Sequence, residues 1–203
     1  MAVLGIDLGG TKLLAGVFSE SGELLYKEKA ALENRKGEEV GAFITQKINI
    51  MHAEWQQKGK DILAAGVAVP GISNSANGTV WAPNIPGWEA YPLLNELQQN
   101  SKGISITIDN DRSCSLLGEI WKGNARQCNN VIFLAAGTGI GAGIMANGHI
   151  INGAQGISGA IGWMALTTPF RDEYISCGCF EHYASGEGIS KLARELLQTE
   201  KIT

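Results

Sequence analysis

The sequence is poor in cysteine and proline and has no excess of basic residues. Its 203 residues include 4 cysteines and 5 prolines, and the formal net charge is −4. Proteins that bind nucleic acids usually carry a basic patch, so this charge balance predicts no nucleic-acid partner. No hydrophobic run reaches the length of a membrane span, so no membrane association is expected either.

The first residues also lack the pattern of an export signal. No basic segment precedes the apolar start, and the acidic Asp7 comes too early for a signal peptide. We therefore expect a cytoplasmic protein whose four cysteines are free thiols. The triplet Asn77-Gly78-Thr79 has the form of a glycosylation site, but without export it is predicted to be a turn.

Glycine is abundant, and the glycines mark a pattern that occurs twice. An apolar strand, a turn with glycine and threonine, and a returning strand surround Gly9 and again Gly137, 128 positions later. This self-similarity predicts two lobes of like topology. We place the first lobe at residues 1–118 and the second at residues 119–203.

The other segments show helical or strand periodicity of their own. The last of them has an apolar stripe that runs on toward Thr203 without an evident partner. The predicted elements are, in order, a helix over 40–55, a buried strand over 62–69, a loop over 72–92, a strand over 104–108, a helix beginning at Asp111 and a helix beginning at Ser185.

Each glycine turn offers bare backbone N–H groups, a concavity of the kind that binds anions. Asp7, at the end of the first strand, is placed to hold Mg²⁺ through water, because that ion keeps much of its hydration. The alternative is a pair of ordinary hairpins, but two matched turns favour phosphate binding. The P-loop pattern, which ends in Gly-Lys-Ser/Thr, is absent.

Polar residues after the strand over 104–108 form a second cluster. A carboxylate in Asp109-Asn110-Asp111 can accept a proton from a hydroxyl nucleophile, and the asparagine can orient that hydroxyl. Equally, Asp111 can serve only as a helix cap. The loop from Trp81 to Trp88 offers stacking and hydrogen-bonding groups of the kind that bind sugars, or it is a packed surface loop.

Six segments in order resemble the ROK family of bacterial sugar kinases and sugar-responsive repressors. The resemblance runs from Leu4 to about Leu197, and the segments are GIDLGGTK, GVAVPG, APNIPGW, DNDR…LGE, GTGIGAGI and GCFEHYASG. It implies an α/β protein with the two-lobed actin/hexokinase-like (ribonuclease H-like) ATPase fold, with ATP and sugar in the cleft.

The resemblance also implies roles for the residues that match. Asp111 is the expected general base, which takes the proton of the sugar hydroxyl that attacks the γ-phosphate. The residues expected to contact ATP and its phosphates are Asp7, Gly9, Gly10, Thr11 and Lys12 in the first loop and Gly137, Thr138, Gly139 and Gly141 in the second. The residues expected to bind sugar are Gly71, Asn84, Asn110, Asp111 and Glu181.

The sequence departs from the family pattern in the region that usually binds zinc. Ala160 stands where a sugar-binding glutamate is usual, and Trp163 replaces a histidine that contacts sugar and zinc. Of four zinc ligands only Cys179 remains, so no zinc site is expected. Cys177, Cys179 and His182 offer a different set, but structural zinc usually takes four ligands. The changes are expected to alter the sugar selected.

Two further departures concern packing and length. Asp172 and Tyr174 occupy two of the cysteine positions, and packing around Trp163 and Phe180 is expected to replace the zinc loop. Family kinases continue well beyond Thr203, so the second lobe is expected to be truncated. Family repressors carry an N-terminal helix-turn-helix, and because the first phosphate loop begins at residue 5, we expect a kinase and not a repressor.

Together these features predict a glucokinase-like, ATP-dependent sugar kinase that transfers the γ-phosphoryl group to a hexose hydroxyl. ATP and Mg²⁺ are the expected cofactors, and a small-molecule sugar is the expected partner. The alternatives are a non-catalytic sugar-binding module and a truncated fragment of a ROK protein. The sequence leaves a homodimer open.

Overall fold

The computed structural model describes residues 1–101 and 103–198 and places them in two compact units. The first unit comprises Met1–Asp111, and the second begins at Arg112. The division that the sequence predicts, between residues 118 and 119, falls inside the helix that begins at Asp111. The apolar stripe predicted to run toward Thr203 extends beyond the described residues.

The first unit is built on a five-stranded sheet. The strand order is β3-β2-β1-β4-β7, in which β1, β4 and β7 are parallel and β2 and β3 form an antiparallel meander with β1. Its elements are β1 (Ala2–Leu8), β2 (Lys12–Ser19), β3 (Leu24–Ala31), α1 (Glu38–Gln57), β4 (Ile62–Val69), β5 (Ile72–Asn74), β6 (Thr79–Trp81), α2 (Leu93–Asn100) and β7 (Ser105–Asn110).

One face of this sheet is covered by α1, as the apolar patterns predict. Alternate residues of β1 are buried, and the stripe of α1 buries Val40, Ile44, Ile48, Met51 and Trp55. Alternation places every second side chain of a strand on the same face. The face that carries Asp7 is therefore the one opposite the buried β1 residues, and it stays accessible at the carboxyl end of β1.

The prediction of a plain loop over residues 72–92 is wrong. The short strands β5 and β6 pair as a hairpin, and the Asn77 side chain closes the predicted turn by accepting hydrogen bonds from the N–H and hydroxyl of Thr79 at 3.0 and 2.8 Å. Trp88 is buried and stacks on Tyr91 with ring centroids 4.7 Å apart. Its indole N–H donates to the Gly37 carbonyl, so Trp88 is a core residue.

The second unit repeats the opening meander, which confirms the predicted internal repeat. Strands β8, β9 and β10 form an antiparallel sheet in the order β10-β9-β8, matching the β3-β2-β1 part of the first sheet. Its elements are α3 (Asp111–Trp121), β8 (Val131–Ala136), β9 (Ile140–Ala146), β10 (His149–Ile150), 3₁₀ helices over Ile161–Trp163 and Asp172–Ile175, α4 (Cys179–Ala184) and α5 (Gly186–Gln198).

The last helix has an uncovered apolar face. Ile189, Leu192 and Leu197 on α5 are 58%, 45% and 60% exposed. Across the described ranges, no helix combines the length and apolar character needed to traverse a lipid bilayer.

Candidate functional site

The first glycine turn, residues 9–11, connects β1 to β2. The Gly9 N–H donates to the Lys12 carbonyl at 2.8 Å and closes the turn. In the described part of the chain, the next two N–H groups, of Gly10 and Thr11, have no hydrogen-bond acceptor. Adjacent bare N–H groups of this kind form an anion-binding concavity.

The carboxyl ends of β1, β4 and β7 bring the predicted residues of the first unit to one edge of the sheet. The first loop follows β1, Gly71 follows β4, and Asp111 follows β7 directly. In sheets of this kind, ligands bind beyond the carboxyl ends of the parallel strands.

The register also places two carboxylates on one face. Asp7 pairs with Ala68 on β4, and Ala68 pairs with Asp109 on β7. Paired residues project to the same side of a sheet, and two strand spacings amount to about 10 Å. A small residue between the two acids leaves the face open. The exposed Asp7 carboxylate fits a hydrated Mg²⁺, which prefers carboxylate oxygens and retained water.

Asp109 fixes the asparagine beside the proposed base. Its Oδ1 accepts the backbone N–H of Asn110 at 2.7 Å and the side-chain amide of Asn110 at 3.2 Å. Asn110 is buried to all but 7% of its surface, and this carboxylate helps to hold its orientation. Sequence reasoning placed Asp109 in the cluster without giving it this role, because the bond depends on the local backbone turn.

Asp111 is the first residue of α3, with no residue between β7 and the helix. Its carboxylate lies in the first helical turn, where the helix dipole stabilises negative charge. The structure therefore places Asp111 at the carboxyl end of β7, at the same sheet edge as the first loop.

The first unit also brings the predicted sugar residue Asn84 to the first loop. A Cβ added at Gly10 would lie 3.0 Å from Asn84 Nδ2, so the glycine allows this side chain to approach the turn. At Gly71 the backbone has φ +87°, and an added Cβ would lie 2.2 Å from the Trp81 carbonyl oxygen. Only glycine fits there, and it allows the loop beginning at Trp81 to lie against the end of β4.

The second glycine turn, residues 137–139, connects β8 to β9 in the second unit. The Gly137 N–H donates to the Gly139 carbonyl at 2.9 Å, and the Gly137 carbonyl accepts the Gly186 N–H at 2.7 Å. Over residues 1–101 and 103–198, the N–H groups of Thr138 and Gly139 have no acceptor. Both turns thus present two adjacent free donors.

Glu181 supports the second loop from α4. Its Oε2 accepts the N–H of Ile140 at 2.6 Å, and Ile140 is only 8% exposed. A Cβ added at Gly139 would lie 2.7 Å from the same oxygen, which explains the glycine there. The carboxylate also borders a cavity of about 310 Å³ that Thr138 and Lys191 help to line.

Glycine is required at position 141 for a different reason, which is close packing against α3. A Cβ there would lie 2.5 Å from Cδ of Arg112, so α3 packs directly on β9. Gly143 lies against the same helix, where an added Cβ would be 2.6 Å from the Arg112 carbonyl oxygen. Gly141 therefore contributes close packing behind the second loop, a function that sequence reasoning did not separate from phosphate contact.

An aromatic cluster occupies the region of the family's zinc loop. Tyr174 is 2% exposed, and its hydroxyl shares a 2.7 Å hydrogen bond with Tyr183. That bond raises the pKa of Tyr174 to about 12. Phe170 and His182 pack edge-on against the Tyr174 ring.

The expectation that packing centres on Trp163 is wrong. Trp163 is 60% exposed, and the cluster forms around Tyr174, which stands at a cysteine position of the family pattern. Cys179 is buried, and its Sγ accepts the Leu166 N–H at 3.5 Å. Within the described ranges, no group of three or more His, Cys, Asp or Glu side chains is arranged to hold a metal ion.

With this geometry in place, comparison with known proteins identifies the family. The model of the ROK family matches residues 3–203. The chain belongs to the ROK family.

Two curated relatives show the range of this family. The chain is 34% identical to a glucokinase of Halalkalibacterium halodurans over 95% of this chain and 59% of the relative. It is 31% identical to a xylose repressor of Caldicellulosiruptor bescii over 97% of this chain and 50% of the relative. The chain therefore spans between half and two thirds of the length of these ROK proteins.

A solved ROK structure supports the fold assignment. The ROK family glucokinase from Streptomyces griseus, in complex with glucose and AMPPNP, matches 98% of this chain and 62% of its own length. The TM-score is 0.77 and the sequence identity 28%. The α/β fold of hexokinase-like type that the resemblance implied is confirmed.

Proposed function

We propose that this ROK protein is an ATP-dependent sugar kinase that transfers the γ-phosphoryl group to a hexose hydroxyl. The observation that carries the proposal is the sheet edge of the first unit. There the bare first loop, Asn84 and the Asp109–Asp111 cluster follow the carboxyl ends of adjacent parallel strands. An anion site beside a carboxylate and two sugar-type amide groups has the parts that phosphoryl transfer to a hydroxyl requires.

Each part has one task in the proposed step. Asn110, held by Asp109, orients the sugar hydroxyl, and Asp111 accepts its proton as the oxygen attacks the γ-phosphorus. The bond from that phosphorus to the bridging oxygen breaks, and the electron pair leaves with ADP. The free N–H groups of the first loop hold phosphate oxygens. Mg²⁺ near Asp7 would supply charge neutralisation on the phosphates.

The relatives' names support the kinase class without fixing the sugar. One relative is a glucokinase, and a related structure holds glucose with an ATP analogue. Ala160 and Trp163 replace groups that the resemblance assigns to sugar binding. A site that loses hydrogen-bonding partners for one hydroxyl discriminates differently among sugars, so we expect a preference distinct from that of the glucokinases.

The test is ADP release with Mg-ATP and a panel of hexoses and N-acetylhexosamines. Asp111→Asn should lower turnover by about 10²–10⁴-fold, the usual contribution of a general base, and leave sugar affinity largely unchanged. Asp61→Asn, an exposed acid before β4, is the matched control and should behave as the wild type. Loss of sugar binding in Asp111→Asn would make Asp111 a structural residue and contradict its role as base.

A second candidate is a sugar-binding protein without kinase activity. It is favoured by the similarity to a xylose repressor and by Ala160, which removes an acid expected at the sugar. Sugar affinity without nucleotide affinity, both measured by calorimetry, would support this candidate over the kinase.

A further inference from the structure

Three asparagines in the chain are each followed by glycine. They are Asn77, Asn147 and Asn152, and all three are exposed. At an Asn-Gly pair the backbone nitrogen of the glycine can attack the amide carbon of the asparagine, because glycine has no side chain to crowd the approach. The three pairs share the same two reacting groups, so the surrounding structure decides which pair reacts.

The first pair is restrained at both reacting groups. The Gly78 N–H donates to the Asn74 carbonyl at 2.8 Å, so the attacking nitrogen is already hydrogen-bonded. Asn77 Oδ1 accepts the backbone N–H and the hydroxyl of Thr79 at 3.0 and 2.8 Å, which holds the amide group. Gly78 is also buried, and a Cβ added there would lie 2.7 Å from Cβ of Leu94. Reaction requires these contacts to break, so we expect this pair to be protected.

The second pair lies in the turn between β9 and β10. The Gly148 N–H donates to the Asn129 carbonyl at 2.8 Å, and the Asn147 N–H donates to Asn130 Oδ1 at 2.9 Å. Both residues of the pair have left-handed backbone, with φ of +50° and +78°. The hydrogen bonds hold the backbone of the turn and engage the nitrogen that must attack, so this pair is protected as well.

The third pair has neither kind of restraint. Asn152 and Gly153 follow β10, and both are exposed. Over residues 1–101 and 103–198, the Gly153 N–H has no acceptor and the Asn152 side chain has no hydrogen-bond partner. Both reacting groups can therefore approach each other without first breaking a hydrogen bond.

We propose that Asn152 is a site of spontaneous deamidation, a covalent modification that needs no enzyme. The Gly153 nitrogen bonds to Cγ of Asn152, the bond from Cγ to Nδ2 breaks, and the proton of the N–H leaves with Nδ2 as ammonia. Water then opens the resulting cyclic imide at either of its carbonyl carbons. The products are aspartate and isoaspartate, and no oxidant or reductant is needed.

The two products differ in their effect on the loop over residues 152–158. The Asn152 carbonyl accepts the Ser158 N–H at 3.1 Å and closes this loop, and the carbonyl of the next residue, Gly159, accepts the Ala142 N–H of β9 at 2.8 Å. Aspartate leaves the main chain unchanged. Isoaspartate routes the main chain through Cβ and Cγ and turns the former carbonyl into part of a free carboxylate. It therefore loosens the loop that brings Gly159 to β9, the strand that follows the second glycine turn.

A difference among the three pairs has a simpler explanation in the local sequence. The residue after the glycine is threonine in the first pair, histidine in the second and alanine in the third. That explanation predicts the same order of rates in the folded and the unfolded chain. Protection by the fold predicts that the difference disappears on unfolding.

The experiment incubates the protein in mildly alkaline buffer, with and without urea, and follows each asparagine by mass spectrometry of proteolytic peptides. In the folded protein Asn152 should deamidate at least about tenfold faster than Asn77 or Asn147, the factor that corresponds to one hydrogen bond on the attacking nitrogen. In urea the three rates should converge. Asn152→Gln, which lengthens the side chain by one carbon, should react at background level while the other two rates stay unchanged.

A second measurement tests the effect of the modification on the loop. Amide hydrogen exchange at Ser158 should be about tenfold faster in the isoaspartate form than in Asn152→Asp, which keeps the normal main chain. Equal exchange in these two proteins would contradict the proposed loosening of the loop.

Three outcomes would overturn the proposal of Asn152 as the reactive site. One is equal rates at the three asparagines of the folded protein. Another is a faster reaction at Asn77 or Asn147, which would show that the observed hydrogen bonds do not protect. The third is the same order of rates in urea, which would assign the difference to the following residue. Both measurements are made without turnover, so failure of the proposed kinase function would be recognised separately.

Discussion

The hydrogen bond from Ile140 to Glu181 leads to the sharpest prediction for the second loop. Glu181 Oε2 accepts a nearly buried backbone N–H at 2.6 Å, at the residue that follows Gly139. A hydrogen bond to a charged group contributes about 1.5–3 kcal/mol, and a buried donor left unpaired costs about 1–3 kcal/mol. Glu181→Ala should therefore destabilise the loop by about 2–3 kcal/mol, whereas Glu181→Gln, which keeps an acceptor oxygen, should cost about 1 kcal/mol.

The loss should appear in nucleotide binding before it appears in sugar binding. A change of about 2–3 kcal/mol alters the ratio of ordered to disordered loop by about 30- to 150-fold. We expect KM for ATP to rise by about tenfold or more in Glu181→Ala, with KM for the sugar nearly unchanged. Gly139→Ala, which places a methyl group 2.7 Å from the same oxygen, should act in the same direction.

The assay combines urea unfolding with steady-state kinetics in both substrates. Glu187→Ala is the matched control, because this exposed glutamate borders the same cavity on α5. Unchanged stability and unchanged KM for ATP in Glu181→Ala would refute the loop-supporting role. A rise in KM for the sugar alone would instead support the sugar-binding role that the family resemblance implies for Glu181.

Three other predictions follow from single residues. Gly159→Ala should cost about 2–5 kcal/mol in urea unfolding, because φ is +81° and the added Cβ would lie 1.7 Å from a β9 carbonyl oxygen; wild-type stability would contradict this. The hydrogen bond with Tyr183 raises the pKa of Tyr174 in the folded protein, whereas a tyrosine in the unfolded chain loses its proton near pH 10. The free energy of unfolding should therefore fall as pH rises from about 10 to about 12, and it should fall less steeply in Tyr174→Phe. If Tm depends on pH in the same way in the wild type and in Tyr174→Phe, the Tyr174–Tyr183 hydrogen bond is not the cause. Asp109→Ala should raise KM for the sugar by about tenfold, because it removes a hydrogen bond that holds the Asn110 amide, and an unchanged KM would separate Asp109 from sugar binding.

The parts of the fold that local patterns encode could be predicted from the sequence. The glycine turns and their flanking apolar strands predicted both meanders, and the helical spacing of apolar residues predicted α1. Helix α2, the β5–β6 hairpin and α4 were not predicted. They are short, so a few apolar residues cannot distinguish helix, strand and loop there.

The candidate site was predictable as a set of residues but not as an arrangement. Asp7 and Asp109 lie in one row because β1, β4 and β7 pair in parallel. The register between strands that are distant in the sequence cannot be predicted from either strand alone. The hydrogen bond from Ile140 to Glu181 joins residues 41 positions apart, and no local sequence pattern predicts it. Tyr174 was noted only as a missing cysteine, although a buried tyrosine usually requires a hydrogen-bond partner.

The two glycine turns have diverged in what supports them while keeping the same free donors. The first is held from within its own unit by the N–H of Leu32, which donates to the Thr11 carbonyl, and by Asn84 packed on Gly10. The second depends on Glu181 and on Gly186, which lie in the segment that departs most from the family pattern. Substitutions in that segment can therefore change how the second loop is held without disturbing the first. Because α4 carries both Glu181 and a partner of Tyr174, the aromatic cluster sets the position of the helix on which the second loop relies.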